Sequence, residues 1–132
     1  MAEPAAQTIL VVDDVAFMRR VLVGILNSLG YKTTEAANGE EAVKEMRRQT
    51  PSLIFMDIVM PEIDGIALCQ WVRKNEATRN VPVIICTAHQ DRKNIEAAIR
   101  AGATDLLLKP VDRKKVRERL DRHLGAAEAS ER

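Results

Sequence analysis

Four short apolar runs, each stopped by a polar or charged residue, most constrain what this chain can fold into. They are Ile9-Leu10-Val11-Val12 before Asp13-Asp14, Leu53-Ile54-Phe55-Met56 before Asp57, Val83-Ile84-Ile85-Cys86 before Thr87, and Leu106-Leu107-Leu108 before Lys109-Pro110. Runs of this length, aliphatic and separated by helical patterns, read as parallel strands buried on both faces. In an open α/β sheet the carboxyl ends of the strands share one edge, and ligands bind there where the strand order reverses. The pattern therefore gathers Asp13, Asp14, Asp57, Thr87 and Lys109 into one cleft.

Helical signals fill the intervals. From Ala16 to Leu29, apolar residues recur at Met18, Val21, Leu22, Ile25, Leu26 and Leu29, and Gly30 supplies the left-handed stop. A weak edge strand is expected near Tyr31 to Glu35. Asn38, with Glu41 three residues on, forms a capping-box-like start for a helix to about Arg48. Met60-Pro61-Glu62-Ile63-Asp64-Gly65 is a turn-rich loop before a helix through Asn75. Pro82 opens the fourth strand, a helix from about Arg92 ends at Gly102, and the last helix runs from about Asp112 to Leu124. With no internal repeat or linker, residues 8–124 are expected to form one domain, with 1–7 and 125–132 as flexible tails. The expected class is α/β, a doubly wound five-stranded parallel sheet flanked by five helices.

Bulk properties narrow the function. A chain of 132 residues with 46% apolar and 30% charged content is large enough for a real core. A formal charge of +1 argues against general nucleic-acid binding. No apolar run approaches the roughly 18 residues of a membrane span, and Met1-Ala2-Glu3-Pro4 lacks the marks of a signal peptide. Cys69 and Cys86 have no CxxC spacing and read as reduced, buried thiols of a cytoplasmic protein.

The cleft itself suggests a chemistry. Two unit charges about 5 Å apart repel by roughly 3 kcal/mol at an effective dielectric near 20, so clustered carboxylates must shift their pKa values or recruit a cation. Hard oxygen donors favour Mg²⁺, which takes one or two carboxylates, water and a phosphate. With a hydroxyl and a lysine beside them, these are the groups phosphoryl transfer needs. Asp57, alone between Met56 and Ile58, suits the nucleophile, and the adjacent Asp13 and Asp14 suit the metal.

Four stretches go together: Val12-Asp13-Asp14-Val15-Ala16-Phe17-Met18-Arg19-Arg20, Met56-Asp57-Ile58-Val59-Met60-Pro61-Glu62-Ile63-Asp64-Gly65, Thr87-Ala88 and Lys109-Pro110. Through them, over about residues 8–124, the chain resembles the receiver domains of two-component response regulators, the single-domain chemotaxis type (CheY-like) in particular. It implies a flavodoxin-like fold with strand order 2-1-3-4-5, the order for which such a protein is a standard illustration. It further implies that Asp57 accepts a phosphoryl group from a phosphohistidine of a sensor histidine kinase or histidine phosphotransfer protein. Mg²⁺ would be bound by Asp14, Asp57 and the backbone carbonyl of Val59, with Asp13 acting mainly through water. Lys109 would contact the phosphoryl oxygens, and Pro110 would follow a cis peptide. Thr87 would move to the phosphoryl group, with the small Ala88 leaving room, and switch a downstream protein partner at the face made by the fourth helix, fifth strand and fifth helix. A monomer is expected, with dimerisation on phosphorylation left open. In many receivers an aromatic residue stands three positions before the lysine; here it is Leu106.

Each residue has an ordinary reading too. A strand-end Asp can cap a helix, as Asp13-Asp14 could, Thr87 can bond backbone, and Lys109 can be a surface lysine. The case rests on their joint order and strand-end placement. His89, at a position that tunes water access to the phosphoryl group in the family, is equally readable as a loop residue. Cys86 reads as packing, His123 as a cation favoured at a helix C-terminus, and Trp71 as packing. The last helix carries Arg113, Lys114, Lys115, Arg117, Arg119 and Arg122, either a solvated face or a dock for an acidic partner or a nucleotide. Two alternatives stand against the phospho-switch: a phosphorylation-independent interaction module, and an aspartyl-nucleophile Mg²⁺ phosphatase, which wants a second Asp where Val59 stands. About eight residues follow the last helix, so direct DNA binding is not expected, and the short apolar runs give no expectation of membrane insertion.

Overall fold

The computed structural model describes residues 7–58, 65–88 and 92–125. Strands and helices alternate along it: β1 (Thr8–Val12), α1 (Ala16–Ser28), β2 (Lys32–Ala36), α2 (Gly39–Arg48), β3 (Leu53–Asp57), α3 (Gly65–Lys74), β4 (Val83–Thr87), α4 (Arg92–Ala101), β5 (Asp105–Leu108) and α5 (Arg113–Leu124). The five strands form one sheet in the order β2-β1-β3-β4-β5, every pairing parallel, as expected.

Strand alternation divides the core in two. Ile9, Val11, Leu53, Phe55, Ile84, Cys86 and Leu107 pack on one face with Leu22 and Leu26 of α1 and Val116 and Leu120 of α5. Leu10, Val12, Ile54, Met56, Val83 and Ile85 pack on the other with Ala42 and Met46 of α2, Leu68, Cys69 and Val72 of α3, and Ala98 of α4. Helices thus cover both faces, which is why the central strands are apolar throughout rather than alternating. β2 lies at the edge, one residue later than the expected strand, and only Ala36 of it is buried.

Helix ends follow the local signals. Gly30 and Gly102 adopt φ of +95° and +113° after α1 and α4, conformations that favour glycine. Asn38 Oδ1 accepts from the Glu41 amide at 2.8 Å, while Glu41 Oε1 accepts from Ala37 N at 2.7 Å, one residue before the cap itself. Asp112 caps α5 by accepting from the Lys115 amide at 2.8 Å.

Register then sets the site. Val12 lies opposite both Ala36 and Met56, Asp57 opposite Cys86, and Thr87 opposite Leu108. The polar residues that end the apolar runs are therefore level with one another along one edge.

Candidate functional site

Asp13, the first residue beyond β1, is buried and held on three sides. Its amide donates to the Ala36 carbonyl at 3.1 Å, its Oδ1 accepts from Val15 N at 2.9 Å, and its carbonyl accepts from Arg19 Nη1 at 2.8 Å. The Val15 contact is a local turn of Asp13 on the residue two ahead; Val15 itself precedes α1 and no side chain caps that helix, so the ordinary capping role is not realised. Asp14 is exposed, and Asp57, the last residue of β3, keeps 13% of its side chain exposed. One oxygen from each of the three carboxylates lies within 4.8 Å of the others. Lys109 Nζ approaches Asp57 Oδ2 at 3.5 Å, and the Lys109 amide donates to the Thr87 carbonyl at 2.8 Å. Thr87 ends β4 at 2% exposure, followed by the half-buried Ala88. The Lys109–Pro110 peptide is cis, as the resemblance implies. The five residues singled out from the run ends come together; Val59 and His89 lie outside the described residues.

Beneath the carboxylates is a cavity of about 10 Å³, lined by Asp13, Asp57, Cys86 and Lys109 with apolar walls from Val11, Met18 and Phe55. That is room for about one water. Burial pushes the Cys86 thiol up to about 12; Lys109 pulls it back, while Asp57 and Asp13 raise it further. A thiol protonated at neutral pH is neither a nucleophile nor a metal ligand. The donors left are hard oxygens, a set that fits Mg²⁺ and would suit Zn²⁺ or copper poorly.

Gly65 entered the sequence reading only as the end of a turn-rich loop and of a family stretch, with no role of its own, yet it lies against the backbone of the site. A Cβ there would overlap the Asp57 carbonyl oxygen and lie 2.8 Å from Ile58 Cα, while the Gly65 amide donates to the Ile58 carbonyl at 2.8 Å. The first turn of α3 thus presses directly on the backbone of Asp57.

A model of the response regulator receiver domain matches residues 9–121. The chain belongs to that family. It is 38% identical over 121 residues to the chemotaxis protein CheY of Bacillus subtilis, covering 91% of this chain and 99% of that one. It is also 38% identical to the transcriptional regulator ycf27 of Porphyridium aerugineum, over 86% of this chain but 46% of the relative, so it spans about half the length of such regulators. The receiver domain of a sensor histidine kinase from Pseudomonas aeruginosa, solved with a magnesium ion coordinated in its active-site cleft, superposes with a TM-score of 0.85 at 36% identity. That match covers 92% of this chain and 99% of the other. This is a CheY-like receiver domain of two-component signalling.

Other features of the receiver fall outside the cleft. Leu106 is half-buried on β5 and lines an open groove of about 790 Å³ with Ile95 and Ile99 of α4, Leu108, and Arg119 of α5. His123 stands in the last turn of α5, where expected, and its Nε2 also lies 2.8 Å from Asp105 Oδ2, a carboxylate at the start of β5. Trp71 packs against the core as expected and also carries the Arg47 guanidinium 6.0 Å from its ring centroid. On α5, Lys115 donates to the Leu108 and Pro110 carbonyls at 3.3 and 3.0 Å, and Arg119 to Leu106 O at 2.8 Å. Arg113, Lys114 and Arg117 face solvent. No described helix is long and apolar enough to cross a membrane.

Proposed function

We propose that Asp57 is the phosphoacceptor of this receiver and that its phosphorylation switches binding to a downstream protein. The observation that carries this is three carboxylates within 4.8 Å of one another with an ammonium 3.5 Å from Asp57. In water's absence such a group of like charges is unfavourable, and the Lys109 cation offsets only part of it.

The donor is a phosphohistidine of a sensor histidine kinase or histidine phosphotransfer protein. An Asp57 oxygen attacks phosphorus in line, the phosphorus–nitrogen bond breaks, and the donor leaves as neutral imidazole once its other ring nitrogen carries a proton. Asp14, Asp57 and the Val59 carbonyl would hold Mg²⁺, Asp13 mainly through water; bound there, Mg²⁺ neutralises charge on the transferring oxygens. Lys109 exchanges its contact with Asp57 for one with the phosphoryl group. Thr87 offers its hydroxyl to the same group, and its shift biases the α4–β5–α5 face. With Leu106 on β5, that readout works without an aromatic side chain. The role places the protein in the cytoplasm as a phosphoacceptor and not as an enzyme acting on other substrates.

Intact-protein mass after incubation with acetyl phosphate tests this. One added phosphate is expected, dependent on Mg²⁺ and absent in Asp57→Asn. Phosphate retained in that variant removes Asp57 from the role. If no phosphate is gained and no beryllofluoride complex forms, a phosphorylation-independent interaction module replaces the proposal.

A further inference from the structure

Arg19 is one of two adjacent arginines on α1, and only one of them is built into the molecule. Its side chain is 15% exposed, against 75% for Arg20. Arg19 Nη1 donates to the Asp13 carbonyl at 2.8 Å, and Arg19 Nε donates to Glu35 Oε1 at 2.9 Å. One planar guanidinium thus spans from the end of β2 to the peptide that joins Asp13 to Asp14. The fork geometry of arginine suits this double engagement, with both donors fixed in one plane. Arg20 reaches only Glu35, at 4.0 Å. The other Asp13 bonds involve different atoms: its amide donates to Ala36 O and its Oδ1 accepts from Val15 N, while its carbonyl accepts from Arg19.

We infer that Arg19 and Glu35 form a strut that positions the Asp13–Asp14 carboxylates for the cation, making Arg19 a positioning residue of the site rather than a surface charge. The inference rests on the Mg²⁺ reading of the cleft. It makes an unusual prediction about sign. A guanidinium bonded to the Asp13 carbonyl, on the chain that carries two of the carboxylates, opposes the binding of a second cation nearby, so removing it should tighten Mg²⁺ binding if charge alone mattered. A strut predicts the reverse, because the carboxylates lose their preset spacing. Groups that orient metal ligands from behind typically contribute about 10–100-fold in affinity. Arg19 acts through a peptide carbonyl and not on a ligand atom, so an effect of about three- to tenfold is expected.

The test is Mg²⁺ titration of the full chain followed by backbone amide NMR shifts, with Arg19→Met, which keeps the apolar stem, beside Arg20→Met. Arg19→Met should weaken Mg²⁺ binding about three- to tenfold while Arg20→Met leaves it unchanged or tighter. Equal or tighter binding by Arg19→Met overturns the strut. Should Arg19→Met lose cooperative melting, Arg19→Lys holds the charge constant: at least twofold weaker binding supports the strut, and unchanged affinity overturns it. Amide exchange in metal-free protein separates this inference from the one beneath it. Faster exchange at Val15 in the Arg19 variant, with a parent that binds no Mg²⁺, keeps the strut and removes the receiver chemistry; unchanged exchange there overturns the strut.

Discussion

Replacing Gly65 by alanine adds one methyl group where α3 meets the Asp57 carbonyl, and no flexible side chain is there to move aside. The nearest atoms are the Asp57 carbonyl oxygen and the Ile58 backbone, so the first turn of α3 or the end of β3 must shift. Overpacking of this kind costs about 1–3 kcal/mol. Gly65→Ala is therefore expected to lower the unfolding free energy by that amount, read as a lower urea midpoint at unchanged slope, and to slow acetyl phosphate labelling several-fold; a variant unchanged in both would mean that the backbone relaxes freely. The acceptor and its companions were legible in the sequence because each ends an apolar run, and a parallel register brings run ends together. Gly65 and Arg19 were not, since their roles depend on distances across the chain. Arg19 looks like any solvated helix cation until its neighbour Asp13 is in place, and the left-handed signal that marks Gly30 and Gly102 is absent at Gly65.

Between elements, the least expected contact fastens α5 to β5. Asp105 Oδ2 takes Arg122 Nη1 and His123 Nε2, each at 2.8 Å, with Arg119 Nε at 3.6 Å, and its Oδ1 accepts from the Leu106 amide at 2.8 Å. Burial pushes this carboxyl up, but the hydrogen bonds from His123, the Leu106 amide and Arg122, with Arg119 nearby, outweigh it and hold it below its ordinary 3.8. A carboxyl depressed in the folded state contributes stability above its unfolded value and loses it as pH falls through the folded value. Asp105→Asn is expected to cost about 1–2 kcal/mol at pH 7, toward the low end for hydrogen bonds to charge because the site is partly wet. The gap should begin to narrow near the ordinary value of 3.8 and close as pH falls through the lower folded value, where the parent carboxyl also protonates. Urea midpoints at pH 7 and pH 3 check this, and a gap as wide at pH 3 would show that packing rather than charge is lost. Helical periodicity placed α5 and its inward Val116 and Leu120, but it treats six cations as one basic face. Only the approach of β5 decides that Lys115, Arg119 and Arg122 are spent on carbonyls and Asp105 while Arg113, Lys114 and Arg117 remain outward.

For the whole molecule, the site sets stability against function. Asp14 is exposed beside two other carboxylates, a placement that folding alone does not require. Like charges gathered at a strand edge destabilise the metal-free fold, whereas a cation bound only by the folded state stabilises it by RT ln(1 + [L]/Kd). At Mg²⁺ tenfold above its Kd this is about 1.4 kcal/mol, or a rise of roughly 6–7 °C in a domain near 100 residues. The parent should therefore melt higher with Mg²⁺ by about that much. Asp14→Asn should reverse the order: without metal it melts at or above the parent, and added Mg²⁺ no longer raises its Tm. A thermal melt series with and without Mg²⁺ measures both halves at once. An Asp14→Asn protein less stable than the parent in the absence of metal would make Asp14 a structural residue. An undiminished Mg²⁺ shift in that variant would move the cation away from this cleft.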